Sequence, residues 1–406
     1  MSLILLVISA LLMGCHSPEQ FIGGERQSTS AQLQGGKVYP INPDLQICNP
    51  GISTDTVRFP RAMLWLGFAG QLNVKNAPEG YTTTKVKMHD RLTISGHDNS
   101  VLWFMTMDQI PSVQCEFQDP DWSAHPEWIV TLGAQPQGKN CDNSDTIWYS
   151  GYVIRPADNA YFRFADRSLD HISTPNFWID QAPEIPTEGV ENPAWQKDTV
   201  DYSQGFATPQ AVQDYFGTKN VKFTWSKEHD GMTLYYIDYS ESKPKAHRLA
   251  KPRGRENWKG ESAMISPDGK WITYNLFERQ DTYSAYIQEL RPNSTPILIA
   301  EGAMEPRWFV HPADPERWYI IYITVPAGNT YIITQALDES QVEKDGSAGA
   351  TWMQEVKLSA GMPQDLSYSL VGEPEKLVNL PFRAGRSPDG RWLATGTNNG
   401  YMLELP

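Results

Sequence analysis

From about residue 55 onward, the chain consists of short runs in which apolar and polar residues alternate. The runs WIVTLG, VKFTW, WITYNLF and WYIIYIT are rich in β-branched and aromatic residues, and Gly, Pro, Asn and Asp separate them. A period of two residues between turn formers is typical of β-strands. One segment, TPQAVQDYFG, has helical signals instead, with Thr208 as N-cap, Pro209 in the first turn and Gly217 at the end. The pattern predicts an all-β chain with one short helix.

The predicted strands recur as a repeating unit. A first strand leads to a tight polar turn, and a Trp then opens a second alternating strand, most clearly in MISPDGKWITYN and RSPDGRWLATGT. First strands begin near residues 117, 174, 261, 304 and 384. The interval between 261 and 304 is the length of one four-stranded propeller blade, about 40–45 residues. The longer intervals predict one insertion at about 181–217 and another at about 338–372.

The number of units predicts the size of the ring. Five units follow residue 117, and the stretch from about 55 to 116 is long enough for a sixth. We therefore predict a β-propeller of four-stranded antiparallel blades over residues 51–406, with six blades, or alternatively seven. The last unit has only three predicted strands, which is expected if an N-terminal strand completes it and closes the ring.

The repeated Ser-Pro-Asp-Gly turns allow two interpretations. Asp268 and Asp389 could be catalytic acids or metal ligands, or they could belong to turns that the fold repeats. Pro presets φ, Asp caps the turn and Gly accepts a positive φ, so a turn explains all four residues. Trp residues at equivalent positions likewise favour packing between blades, and they are Trp122, Trp128, Trp271, Trp308, Trp318 and Trp392. Four others fall outside the repeat and are candidates for an exposed aromatic platform: Trp148, Trp195, Trp258 and Trp352.

This repeat resembles the TolB-like β-propeller repeat of bacterial envelope proteins, over residues 117 to the end. The resemblance implies a propeller and a binding role, although such repeats also occur in propeller domains of peptidases and lyases. We place the candidate ligand face where first strands begin. Asp121, Asn176 and Arg307 follow Pro in three first strands there and alternate with the packing aromatics.

The N-terminus, MSLILLVISALLMGC, has the short apolar core of an export signal. Its Leu-Met-Gly-Cys ending resembles the lipobox of bacterial lipoproteins. The resemblance implies that residues 1–14 are removed and that acylated Cys15 anchors the chain in a membrane, with an ordinary signal peptide as the alternative. His16 after the Cys resembles the outer-membrane sorting class. Residues 15–50, rich in Gly, Gln and Ser, predict a flexible tether.

The net charge and the spacing of Cys and His limit the ligands that the chain is expected to bind, and the number of cysteines limits its disulfides. With 34 Lys and Arg against 48 Asp and Glu, the net charge of −14 argues against nucleic acid. No Cys or His spacing suggests a metal, and we expect no cofactor. Cys48, Cys115 and Cys141 can form at most one internal bridge. Cys115 precedes a first strand and Cys141 lies between the second and third strands of that unit, so both open onto one face. A Cys115–Cys141 disulfide is the candidate, with Cys48 free or paired elsewhere.

The sequence thus predicts a lipid-anchored propeller of the cell envelope, at the outer membrane and facing the periplasm or the surface, that binds an envelope protein or an extracellular glycan. The alternative is a lyase or glycoside hydrolase that acts on polysaccharide. A convergent His or carboxylate cluster in the central channel would favour the enzyme, and a channel of neutral or unpaired groups would exclude it. We expect a binding module rather than an enzyme, and the sequence singles out no catalytic residue.

Overall fold

The computed structural model describes residues 37–41, 47–67, 77–81, 89–136, 141, 147–166, 172–180, 196–198, 200–227, 231–278, 282–311, 314–324, 332–336, 353–356, 368–370, 373–378, 385–387, 392–396 and 400–404. The regular secondary structure of these residues is almost entirely β-strand. No helix in this part of the chain is long and apolar enough to cross a membrane.

Six antiparallel sheets form the blades, and in each the strands run in order from the centre of the ring outward. Blade 1 contains β2 (Ile47–Ile52), β3 (Ala62–Gly67), β4 (Arg91–Gly96) and β5 (Val101–Thr106), followed by a short 3-10 helix (Met107–Gln109). Blade 2 contains β6 (Phe117–Trp122), β7 (Ile129–Pro136), β8 (Ile147–Arg155) and β9 (Ala160–Ala165). Blade 3 contains β10 (Ile172–Ile179), β14 (Val221–Lys227), β15 (Thr233–Asp238) and β16 (His247–Arg248).

The other three blades follow in chain order. Blade 4 contains β17 (Lys259–Ile265), β18 (Trp271–Phe277), β19 (Tyr283–Glu289) and β20 (Ile297–Glu301). Blade 5 contains β21 (Ala303–His311), β22 (Asp314–Thr324), β23 (Ile332–Ala336) and β24 (Met353–Val356). Blade 6 contains β27 (Gly385–Arg386), β28 (Trp392–Gly396), β29 (Gly400–Glu404) and, as its outer strand, β1 (Lys37–Ile41). A separate hairpin, β25 (Tyr368–Leu370) with β26 (Glu373–Val378), lies between blades 5 and 6 in sequence.

The ring closes through its N-terminal strand. β1 pairs antiparallel with β29, from Lys37 opposite Glu404 to Ile41 opposite Gly400. The inner strands contact one another in the order β2, β6, β10, β17, β21 and β27, and β27 contacts β2. The prediction of a propeller completed by an N-terminal strand is confirmed, and the described blades number six, because β21 and β27 are direct neighbours.

Two predicted boundaries are wrong. The tether predicted over residues 15–50 includes β1 and most of β2. β1 pairs with β29 near the end of the sequence, and β2 pairs with the next strand, β3. The second insertion, predicted over 338–372, includes β24, which pairs with β23 as the outer strand of blade 5. Residues 1–14 and Cys15 lie outside the described residues.

The first insertion extends blade 2 at its rim. β11 (Gln196–Lys197) and β13 (Phe206–Ala207) pair with β9, and β12 (Tyr202–Ser203) pairs with β13. The helix α1 (Pro209–Phe216) begins at Thr208, whose hydroxyl accepts from the backbone N–H of Ala211 at 3.2 Å, and ends at Gly217 with φ +70°. The ring centroids of Phe216 and Trp128 are 5.6 Å apart, so the helix packs against the side of blade 2.

The Ser-Pro-Asp-Gly stretch is a structural turn. Ser266 joins the two strands through its backbone N–H to Trp271 O (2.8 Å), and its side-chain oxygen accepts from Trp271 N (2.9 Å). Asp268 accepts from the Ser266 hydroxyl at 2.6 Å and from the Lys270 N–H at 2.9 Å. Ser387 and Trp392 repeat the first two bonds in blade 6. The side chain of Asp268 is therefore occupied within its own turn, and Asp389 lies outside the described residues.

Candidate functional site in the central channel

Five of the six inner strands carry the same distortion. In each, the pairing register shifts at a β-bulge, and a non-glycine residue there has a positive φ: Asn49, Asp119, Thr174, Ser262 and Glu305. Four of the five precede a Pro. A positive φ is unfavourable for such residues, most of all for the β-branched Thr174. A β-bulge changes the direction in which side chains point. Because bulges occur at equivalent positions of five inner strands, we infer that the fold requires them.

The residues at which pairing resumes after each bulge form one layer around the channel. They are Gly51, Asp121, Asn176, Met264 and Arg307, opposite Leu64, Val130, Thr224, Thr273 and Ile321. We call these five the channel layer. It contains all three candidates that the sequence singled out, because each follows the Pro of its bulge.

An ion pair crosses the channel within this layer. Arg307 of blade 5 binds Asp121 of blade 2, although these blades stand three positions apart in either direction around the ring. The other terminal nitrogen of Arg307 lies 3.2 Å from Glu305 Oε2. Arg307 is 5% exposed and Glu305 is 2% exposed, so both are buried, whereas the Asp121 side chain is 14% exposed. Burial opposes the charge on Arg307, but the two carboxylates outweigh it and raise the pKa of the guanidinium.

The bulge residues connect neighbouring blades into a polar belt. Asn49 Nδ2 donates to Asp119 Oδ1 at 3.0 Å, and the Thr174 N–H donates to Asp119 Oδ2 at 3.0 Å, which joins blades 1, 2 and 3. The Ser262 hydroxyl donates to Glu305 Oε1 at 2.7 Å and joins blades 4 and 5. Because these groups are buried, each bond replaces water that the side chains have lost.

Every oxygen of the three channel carboxylates has a protein donor. Asp119 accepts from Asn49 and Thr174, and Glu305 accepts from Ser262 and Arg307. Asp121 accepts from Arg307 and, at 2.9 Å, from the Trp122 N–H. The channel thus contains carboxylates, and four of their six donors come from another blade.

Asn176 is separate from the ion pair. It is fully buried, and its Oδ1 accepts from the Ile265 N–H of blade 4 at 3.0 Å. Its Nδ2 has no hydrogen-bond partner within the described part of the chain. The structure thus brings together Asp121 and Arg307 but not Asn176. Sequence reasoning missed Glu305 and Asp119, although each directly precedes the Pro that marks its bulge.

The other sequence candidates have structural roles or lie apart. Cys115 and Cys141 form a disulfide with a Cα–Cα distance of 5.4 Å. The repeat tryptophans whose exposure is lowest are packed between blades, namely Trp122, Trp128, Trp271, Trp308 and Trp392. Trp148 and Trp258 are half-buried, and Trp195 and Trp352 lie outside the described residues.

The described histidines do not converge. His125 lies in a turn, where its Nδ1 is 3.2 Å from the Glu127 N–H. His89 is buried and lies 3.3 Å from Glu116, whereas His97 packs against Tyr39 and Trp392. Among the described residues, no group of three or more His, Cys, Asp or Glu is arranged to hold a metal ion.

These sheets define the chain as a β-propeller, with six blades among the described residues. TolB proteins are among the solved propellers to which it is similar, at the level of the fold. TolB from Acinetobacter baumannii is 11% identical with a TM-score of 0.37, over 75% of this chain and 62% of that one, so the chain spans less than two thirds of its length. A protein assigned as TolB from Agrobacterium tumefaciens is 11% identical with a TM-score of 0.40, over 91% and 97%. A dihydro-heme d1 dehydrogenase is 11% identical with a TM-score of 0.36, over 94% and 72%.

The sequence comparisons add no closer relationship. No protein-family model matches the chain, and the comparison with curated proteins finds no match. The propeller assignment therefore rests on the chain's own sheets and on the closed order of its inner strands.

Proposed function

We propose that this chain is a binding or scaffold module of the cell envelope. Acylated Cys15 holds it to a membrane, and the face where inner strands begin presents a rigid surface to an envelope protein or an extracellular glycan. The proposed anchor follows from the Leu-Met-Gly-Cys ending of the apolar N-terminal run.

The binding role is supported mainly by the hydrogen bonds of the channel carboxylates, whose oxygens already accept from protein donors. A general acid or base must reach the proton that it transfers, and Asp119, Asp121 and Glu305 each have both oxygens bound by protein donors. The carboxylates of Asp121 and Glu305, which share Arg307 in the channel, are nevertheless the feature that favours the alternative, an enzyme that acts on polysaccharide. That alternative requires the ion pair of Arg307 to open when substrate binds.

A binding and turnover experiment separates the two functions. The chain from His16 onward, which retains β1, is applied to a glycan array and used as bait for envelope proteins. Bound glycans and a panel of acidic and neutral polysaccharides are then analysed for shortened or unsaturated products. Binding without product supports the module, whereas product release supports the enzyme and contradicts the module.

The anchor has its own test. Full-length chain and the Cys15→Ser variant are expressed in a bacterium, and the membrane fraction and the mass of the N-terminal peptide are compared. We expect an acylated Cys15 and membrane retention only for the natural residue. An unmodified N-terminal peptide in the full-length chain would contradict the anchor and leave the binding role open.

A further inference from the structure

The charges of the chain are strongly segregated. Seven of the 34 Lys and Arg lie between residues 241 and 259, together with only two of the 48 Asp and Glu. We call residues 241–259 the basic edge. A concentrated positive segment on an otherwise acidic protein creates a local field that attracts anions despite the net charge of −14.

The basic edge follows the rim of blade 3. It leaves β15, forms the outer strand β16, and crosses to the start of the inner strand β17. Because neighbouring strands are antiparallel, the segment before β16 lies at one face of the propeller and the segment after β16 at the other. The cations before β17 therefore run along the rim from one face of blade 3 to the other, and Arg255 and Lys259 reach blade 4.

The backbone of this segment is fixed to the propeller. Leu249 is 4% exposed, and its N–H donates to Leu234 O at 2.9 Å. Farther along, Arg255 lies 4.2 Å from the ring of Trp258 and pairs with Glu301. The backbone near Leu249 and the side chain of Arg255 are thus held at defined positions on the rim.

Three cations of the basic edge face solvent. Lys243, Lys245 and Arg253 are exposed, and none makes a hydrogen bond or an ion pair within the described residues. From 241 to 248 the edge also lacks large apolar side chains. Protein interfaces usually centre on buried aromatic or aliphatic anchors, whereas polybasic segments bind anionic lipid surfaces by charge alone.

We propose that the basic edge docks onto an anionic phospholipid surface and turns the rim of blade 3 toward the membrane. The inference rests on the proposed anchoring, because acylated Cys15 would keep the propeller beside a lipid surface. β1 belongs to blade 6, on the opposite side of the ring from blade 3, and the 21 residues between Cys15 and β1 could span at most about 70 Å, so the attachment has to use this reach to let the rim of blade 3 face the membrane. Lipid chains together with a polybasic patch form a familiar two-signal attachment.

Vesicle binding tests the proposal without acylation. The full chain with Cys15→Ser is mixed with vesicles of phosphatidylcholine alone or with about 30% phosphatidylglycerol, and bound protein is measured by sedimentation. Binding to phosphatidylcholine alone measures the contribution of the apolar leader. We expect at least about tenfold tighter binding to the anionic vesicles at low salt, and loss of this preference at about 0.5 M salt.

Charge reversal locates the surface. Lys243→Glu/Lys245→Glu/Arg253→Glu should lower anionic-vesicle binding at least about tenfold. Lys197→Glu/Lys219→Glu/Arg291→Glu changes the net charge equally at surface positions outside the basic edge and should change binding less than about twofold. Circular dichroism verifies that both variants fold, and the Gln versions of the first variant should give a smaller loss in the same direction.

Three results would overturn the proposal: equal losses in the two charge reversals, equal binding to both kinds of vesicle, or capture of an acidic envelope protein through the basic edge with no preference for anionic lipid. The test is independent of the proposed function. An unacylated Cys15 would contradict the anchor, and the absence of any bound glycan or envelope protein would contradict the binding role, and neither result alters the outcome with vesicles.

Discussion

Replacing Arg307 by Met removes the cation that Asp121 and Glu305 share across the channel. The methionine fills a similar volume, so the main loss is charge and hydrogen bonding. At the 3.2 Å separation from Glu305, the direct attraction is about 5 kcal/mol for an effective dielectric constant of about 20. Desolvation of the ions offsets most of this attraction in the intact protein, but the variant keeps the buried carboxylates and loses their partner. We therefore expect Arg307→Met to lower the free energy of unfolding by about 3–5 kcal/mol.

Urea unfolding followed by tryptophan fluorescence measures this loss. Arg291→Met is the matched control, because the Arg291 side chain is 65% exposed and its pairing with Glu289 is screened by water. We expect the control to change stability by less than about 1 kcal/mol. A double-mutant cycle with Asp121→Asn then isolates the cross-channel pair, and we expect a coupling of about 1–3 kcal/mol.

Two outcomes would refute the reasoning. A loss for Arg307→Met no larger than that of the control would mean that water or rearranged donors replace the guanidinium. Additive losses in the cycle would mean that Arg307 and Asp121 stabilise the ring independently rather than by bridging blades 2 and 5.

Four further changes test other parts of the structure. Gly269→Ala should destabilise the protein more than Gly217→Ala in thermal melts, because both positions have a positive φ but only at Gly269 would the new Cβ lie 2.5 Å from Trp178. Replacing Cys115 and Cys141 by Ala opens a loop of 26 residues and should cost about 3.5 kcal/mol in urea unfolding. Burial lowers the pKa of His125, so the folded state binds its proton less readily than the unfolded state; stability should fall as the pH drops below about 6.5, and His125→Asn should reduce that dependence. A chain that begins at residue 46 lacks β1, leaves the edge of β29 unpaired, and should aggregate in light scattering where the chain from residue 16 does not.

Each of these changes has an outcome that contradicts it. Equal melting losses for the two Gly variants would remove the proposed contact with Trp178. An unchanged urea midpoint without the disulfide would show that other contacts close that loop. A pH profile that His125→Asn leaves unaltered would assign the dependence to other groups, and a soluble, stable chain from residue 46 would show that β1 is dispensable for closure.

The sequence determined the repeating unit of this protein. Strand alternation and the Ser-Pro-Asp-Gly-x-Trp turn are local, so their period, the short helix after Thr208 and the missing fourth strand of the last unit could be read from neighbouring residues. The Pro in three first strands marked Asp121, Asn176 and Arg307, and all three lie in the channel layer. The sequence did not reveal strands with weak local signals, such as β1 and β24. Their pairing depends on partner strands elsewhere in the fold.

Only the tertiary structure decided which channel residues meet. Arg307 and Asp121 are 186 positions apart and belong to opposite blades, so their pairing depends on the number of blades and on the closure of the ring. The same closure aligns the bulges, so that Asp119 and Glu305 fall among donors from neighbouring strands. A local pattern specifies each blade. Charges on opposite blades meet across the channel only when all six blades are in place, because the number of blades sets the width of the channel.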